Sequence, residues 1–129
     1  MCIRDRPIGM PIIPRNKRHN YGRSTIHALE GEPIDHINLK RISSWCNSND
    51  IFPDMMKIDV EGSEYNVLND LKASGLLENV KLIYIEINNT FDSAQKAKQL
   101  LEEDYSIVGD SGPNPNNGEP LNYIFRRND

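Results

Sequence analysis

Four polar side chains stand at two places in the sequence where chemistry could gather. Asp59 and Glu61 close the run MMKIDVE, and Glu86 and Asn88 close the run KLIYIEIN. Both runs read as strands entering turns. In open α/β sheets ligands bind outside the carboxyl ends of the strands, so neighbouring strands would bring two or three carboxylates to one crevice. Such a cluster could position a cationic ligand, hold a metal ion, or accept a proton from a substrate hydroxyl. A carboxylate inside a strand as apolar as Met55–Val60 is costly unless paired or functional. That puts Asp59 first, and Glu86 occupies the same position relative to its own strand. Gly62, Ser63 and Glu64 have a structural explanation instead: a tight turn, a helix cap, and a first-turn acid that complements the helix dipole. Lys57 reads as a side chain that snorkels or faces a polar flank.

Other reactive residues form no comparable grouping. His19, His27 and His36 lack i,i+4 pairing and an adjacent acidic motif, so they read as surface or loop residues rather than zinc ligands. Cys2 and Cys46 offer neither a disulfide framework nor a metal-ligand spacing, which suits a reduced, cytoplasmic protein. The basic cluster Arg15, Lys17 and Arg18 reads as a solvated loop, with the holding of an anionic substrate as the alternative. No G-x-G turn follows a strand, and no phosphate loop of the G-x-x-x-x-G-K type is present. The net charge of −4 argues against nucleic acid or an anionic membrane as the main partner. No apolar run approaches the roughly 20 residues needed to span a bilayer, and prolines interrupt the first apolar residues, unlike a secretory signal. At 129 residues, 37% hydrophobic and 26% charged, the chain is one globular domain or a piece of one.

The elements that would carry the four residues follow from periodicity. Residues 7–24 are rich in Pro, Arg, Asn and Gly and read as loop. Thr25–Leu29 is a short extended piece, Ile34–Leu39 a weak strand, and Lys40–Cys46 a short helix with Trp45 in the core. Met55–Val60 is predicted as a strand buried on both faces. The steps between Tyr65, Val67, Leu68, Leu71, Leu76 and Leu77 predict an amphipathic helix ending near Gly75, with Tyr65 in the core. Val80–Ile87 is a second apolar strand and Ser93–Glu103 a second helix. Tyr105–Val108 and Asn122–Phe125 are two further strands. The Gly109–Leu121 segment between them has no room for a crossover helix, so they should pair antiparallel. This alternation predicts a parallel sheet with right-handed crossovers, helices on both faces and an antiparallel edge pair.

The stretch PDMMKIDVEGSEYNVLNDL (Pro53–Leu71), followed by VKLIYIEIN (Val80–Asn88), resembles the FkbM-type methyltransferases. Ser63 stands where the family more often has Ala. NYGRSTI (Asn20–Ile26) is similar to the family's looser N-x-G-x-S-[ST]-[LI] segment, whereas Leu39, Lys40 and Arg41 replace its usual L-D-D. The resemblance implies an S-adenosylmethionine-dependent enzyme with the Rossmann-like methyltransferase fold, acting on a hydroxyl of a sugar or natural product. It implies that the strands here are the fourth to seventh of that fold, residues 25–129 being the C-terminal part of the domain. Met1–Arg6 (MCIRDR) resembles the translation of a sequencing adapter, and residues 7–24 would be a loop or partial segment. The Gly-rich cofactor turn would then lie upstream, and the fragment alone would be inactive. On this reading Asp59 lies beside the methyl donor or orients the acceptor hydroxyl, Glu61 lines the same pocket, and Glu86 and Asn88 contact a small-molecule or glycan substrate. The alternatives are a non-catalytic α/β binding module, or a metal-dependent hydrolase using Asp59, Glu61 and Glu86.

Overall fold

The computed structural model describes residues 7–11, 33–89 and 91–129. Pro7–Pro11 (β1) and Pro33–Asn38 (β2) form a two-stranded antiparallel sheet, its register irregular between Gly9 and Pro11. The loop expected over residues 7–24 is therefore corrected over its first five. Proline cannot donate a ladder hydrogen bond, yet it is tolerated at strand ends and on edges, and both strands of a two-stranded ribbon are edges. The strand expected at Ile34–Leu39 is β2, which among the described residues pairs with β1 alone. Met1–Arg6, the expected extended piece Thr25–Leu29, the Asn20–Ile26 motif, the Arg15–Arg18 cluster, Cys2, His19 and His27 lie outside the described residues.

The second sheet carries the rest. After the helix Ile42–Ser48 (α1) come Met55–Ile58 (β3), Glu64–Ala73 (α2), a 3-10 turn at Leu76–Asn79, Leu82–Glu86 (β4), Ala94–Glu102 (α3), Tyr105–Asp110 (β5) and Asn122–Arg127 (β6). The strand order is β3-β4-β6-β5. β3 and β4 are parallel, while β6 runs antiparallel to both β4 and β5. The chain is thus a mixed α/β structure. The antiparallel pair expected at the edge is present, but its reversed member is interior. The crossover through α3 skips one position, and the short connection over residues 111–121 returns β6 into that gap; β5 thus runs two residues beyond the expected Tyr105–Val108.

Helices were expected on both faces of the sheet. Among the described residues, α1 packs on α2 and α2 on α3, so they form one row. Handedness explains it: β3→β4 and β4→β5 step the same way across the sheet, and right-handed crossovers taken in one direction land on one face. Asp70 of α2 fastens the row, its carboxylate accepting the Ser43 N–H at 2.8 Å and lying 3.8 Å from Arg41.

The core lies between that row and the sheet. Ile58, Ile83, Ile85, Tyr123, Phe125 and Tyr105 meet Leu68, Leu71, Ala94, Ala97 and Leu101. Tyr105 carries a polar tip into it, its hydroxyl lying 2.7 Å from both the Leu77 and Val80 carbonyls. Alternate residues behave differently: Tyr84 is 38% exposed and Met55 67%, while Leu82 and Ile124 are half-buried. So the strand expected to be buried on both faces, Met55–Val60, is covered on one only, and Lys57 is exposed. Trp45, expected in the core, is 47% exposed, because α1 turns Ser43 and Cys46 inward instead. Tyr65 is half-buried against the core.

Candidate active site

β3 and β4 are adjacent and parallel, so their carboxyl ends open on the same side. β3 ends at Ile58, which leaves Asp59 just beyond it and exposed. The burial penalty expected for Asp59 does not apply, since it sits at the rim and not within the strand. Lys57 Nζ is 3.5 Å from its carboxylate, an exposed pair of the kind contributing roughly 0–1 kcal/mol.

The chain then reverses sharply. Glu61 and Gly62 have φ values of 46° and 99°, and the Ser63 N–H returns to the Val60 carbonyl at 3.3 Å, a turn with positive φ at both central positions. Glycine accepts this conformation freely, whereas for Glu61 it costs on the order of 1 kcal/mol or more. Several contacts enforce it. Glu64, only 2% exposed, accepts the Gly62 N–H at 3.0 Å. Ser93 Oγ donates to the Gly62 carbonyl at 3.0 Å. The Phe91 ring lies so close that a Cβ on Gly62 would stand 2.7 Å from it. Ser63 does not act as the expected side-chain cap of α2; it is buried under this turn instead.

The turn brings Glu61 to Asp59 and across to Glu86 at the end of β4. One carboxylate oxygen from each of Asp59, Glu61 and Glu86 lies within 4.8 Å of the others. Partial burial pushes the Glu86 carboxyl above its ordinary range, the negative charges of Asp59, Glu61 and Glu64 push the same way, and Lys57 opposes them. Asn88, the fourth expected residue, follows β4 just beyond Glu86, and its carbonyl accepts the Phe91 N–H at 3.1 Å. The β5–β6 loop reaches the same end of the sheet, where Ile87 N–H meets the Leu121 carbonyl at 2.8 Å and Asn89 Nδ2 donates to Glu119 at 2.6 Å. A hollow lined by Lys81, Ser106, Arg126 and Arg127 lies at the opposite end of β4, away from the edge where such sheets bind ligands.

Three carboxylates converging at this edge can attract a cation, hold a hydroxyl by hydrogen bonds, or take its proton. A model of the methyltransferase FkbM domain matches residues 9–109, which contain all of this site. The chain belongs to the FkbM methyltransferase family. Searches of curated proteins and of solved structures give no match. The acidic edge, unlike the basic hollow, lies at the carboxyl ends of two parallel strands, where sheets of this kind bind ligands. Sequence reasoning did not assign Glu64, Phe91 or Ser93 a part in it. Ser93 had been read only as the start of a helix, and no local pattern announces a bond to a residue 31 positions earlier.

Proposed function

We propose that the chain is part of an S-adenosylmethionine-dependent O-methyltransferase that acts on a hydroxyl of a sugar or other small natural product. The convergence of Asp59, Glu61 and Glu86 at the carboxyl ends of two parallel strands, within a chain of the FkbM family, carries the reading. The parallel β3–β4 pair and the antiparallel last pair support a Rossmann-like methyltransferase sheet, with β3–β6 as its fourth to seventh strands. The donor fits the site chemically, since a cationic sulfonium is favoured beside carboxylates held this close. When bound, it supplies an activated methyl group. Asp59 holds the donor's charged end or orients the acceptor, Glu61 accepts a hydrogen bond and then the proton from the acceptor hydroxyl, and Glu86 and Asn88 line the substrate side. The catalytic contribution of the chain is mainly positioning and electrostatics. The buried free thiol of Cys46 supports a reducing, cytoplasmic setting. No helix among the described residues is long and apolar enough to cross a membrane.

Transfer of labelled methyl from S-adenosylmethionine to a panel of sugars tests this. It is measured on the full-length product of the gene. Asp59→Ala should lower kcat/KM about 100-fold, the lower range for a positioned acid or base. Activity and donor affinity both unchanged in Asp59→Ala would remove Asp59 from the mechanism.

A further inference from the structure

We propose that Ser93 and Glu64 are positioning residues for the acid site: they hold the two peptide groups that flank the Gly62 Cα, one by its carbonyl and the other by its N–H, and thereby set where the Glu61 carboxylate points. The inference rests on the assignment of Glu61 to the methyl-acceptor site. Its basis is the use to which two helix-terminal side chains are put.

Ser93 occupies the N-cap of α3, where a serine hydroxyl normally accepts an N–H of the first helical turn. It makes no such bond. Its hydroxyl instead donates to the Gly62 carbonyl. Glu64 is the first residue of α2, where an acid is ordinarily solvated and complements the dipole. Here it is buried, and its carboxylate turns back onto the Gly62 N–H. The N–H of the Glu61–Gly62 peptide and the C=O of the Gly62–Ser63 peptide are thus both taken up by side chains, and Phe91 closes the space above the Cα between them.

The first of these two peptides adjoins Glu61, whose positive φ would relax without support. The tether also crosses the site. Asp59 and Glu61 follow β3, whereas Ser93 and Glu86 belong to the segment running from β4 into α3. The Ser93–Gly62 bond therefore joins the turn that carries Asp59 and Glu61 to the segment that follows Glu86 at the end of β4, and holds the two sides of the carboxylate cluster at their separation.

The test uses Ser93→Ala and Ser93→Thr in the full chain. Their readouts are the 13C resonances of the Gly62 carbonyl and the Glu61 and Glu86 carboxyls at pH 7, with methyl transfer as a separate measurement on the full-length gene product. Ser93→Ala should move all three resonances and lower kcat about 10-fold with KM little changed; Ser93→Thr, which keeps the hydroxyl, should restore both. Carboxyl resonances that stay in place in Ser93→Ala, or a Ser93→Thr variant that behaves like Ser93→Ala, would overturn the proposal. Where Ser93→Ala does not fold, Glu64→Ala against Glu64→Gln asks the same of the other tether: only Gln keeps an acceptor for the Gly62 N–H, and equal resonances in the two would overturn it. Calorimetry with S-adenosylmethionine on the unsubstituted full-length gene product separates the readings. Resonances that move while the parent neither binds donor nor transfers methyl support the tether and remove the methyltransferase assignment. Unmoved resonances beside intact transfer remove the tether alone.

Discussion

Replacing Glu86 by Gln should make the protein more stable at neutral pH while weakening its chemistry. The isosteric amide removes one negative charge from a group of three whose oxygens lie within 4.8 Å of one another. Coulomb's law gives about 0.9 kcal/mol for one such pair in water. A Debye length of about 8 Å at physiological salt reduces it to about 0.5 kcal/mol. Two pairs amount to about 1 kcal/mol, to which the partial desolvation of Glu86 adds and from which the lost attraction to Lys57 subtracts. For a domain of this size that corresponds to a Tm about 4 °C higher.

The sign follows from linkage. The folded-state pKa of Glu86 lies above its unfolded value, so the native state holds this proton more tightly. The resulting loss of stability is absent below the ordinary carboxylate pKa and complete above the raised one. The advantage of Glu86→Gln should therefore vanish at pH 3 and be full at pH 7.5. It should shrink in 1 M salt, where the Debye length is about 3 Å. Thermal melts followed by circular dichroism at the two pH values and two salt concentrations measure it. A Gln variant no more stable than the parent at pH 7.5 and low salt would refute the claim that these carboxylates repel one another in the native state. A gain in stability accompanied by a loss of methyl transfer is the trade expected of a site that retains strain for function.

The remaining expectations concern the supports of the site. Gly62→Ala combines a positive φ with a 2.7 Å approach to the Phe91 ring and should cost about 3 kcal/mol in urea unfolding; Phe91→Ala in the same chain should recover only the steric part. Tyr105→Phe removes a buried hydroxyl from the Leu77 and Val80 carbonyls and should cost about 1–2 kcal/mol at pH 7. Burial holds the Tyr105 and Tyr123 phenols above their ordinary pKa, with neighbouring Arg127 pulling Tyr105 the other way. Native stability should accordingly fall as pH rises above about 10, and less steeply in Tyr105→Phe. Leu71→Ala, at a fully buried position between helices and sheet, should cost about 2–5 kcal/mol in the same denaturation assay.

The gathering of Asp59, Glu61 and Glu86 was legible because it needed only two facts: where each strand ends, and that the two strands are parallel neighbours. Local periodicity supplies the first, and a connecting helix between apolar runs supplies the second. Burial was less legible. A four-residue apolar run such as Met55–Ile58 has the same composition whether one face or two is covered, so neither the exposure of Met55 nor that of Asp59 could be read from it. Trp45 misled for a related reason, since a helix of seven residues buries only a narrow stripe, and Ser43 with Cys46 fills it. Least legible were the groups that give the carboxylates their geometry. Glu64 and Ser93 have the residue types and positions of ordinary helix termini, and those readings were physically sound for each helix taken alone. What redirects them is the backbone of Gly62, whose N–H and C=O, in two successive peptides, need partners once the turn is folded beneath Phe91. A buried peptide left without partners costs more than a solvent-exposed cap is worth. The side chains that serve it are those the tertiary fold brings near, and the helices forgo their caps.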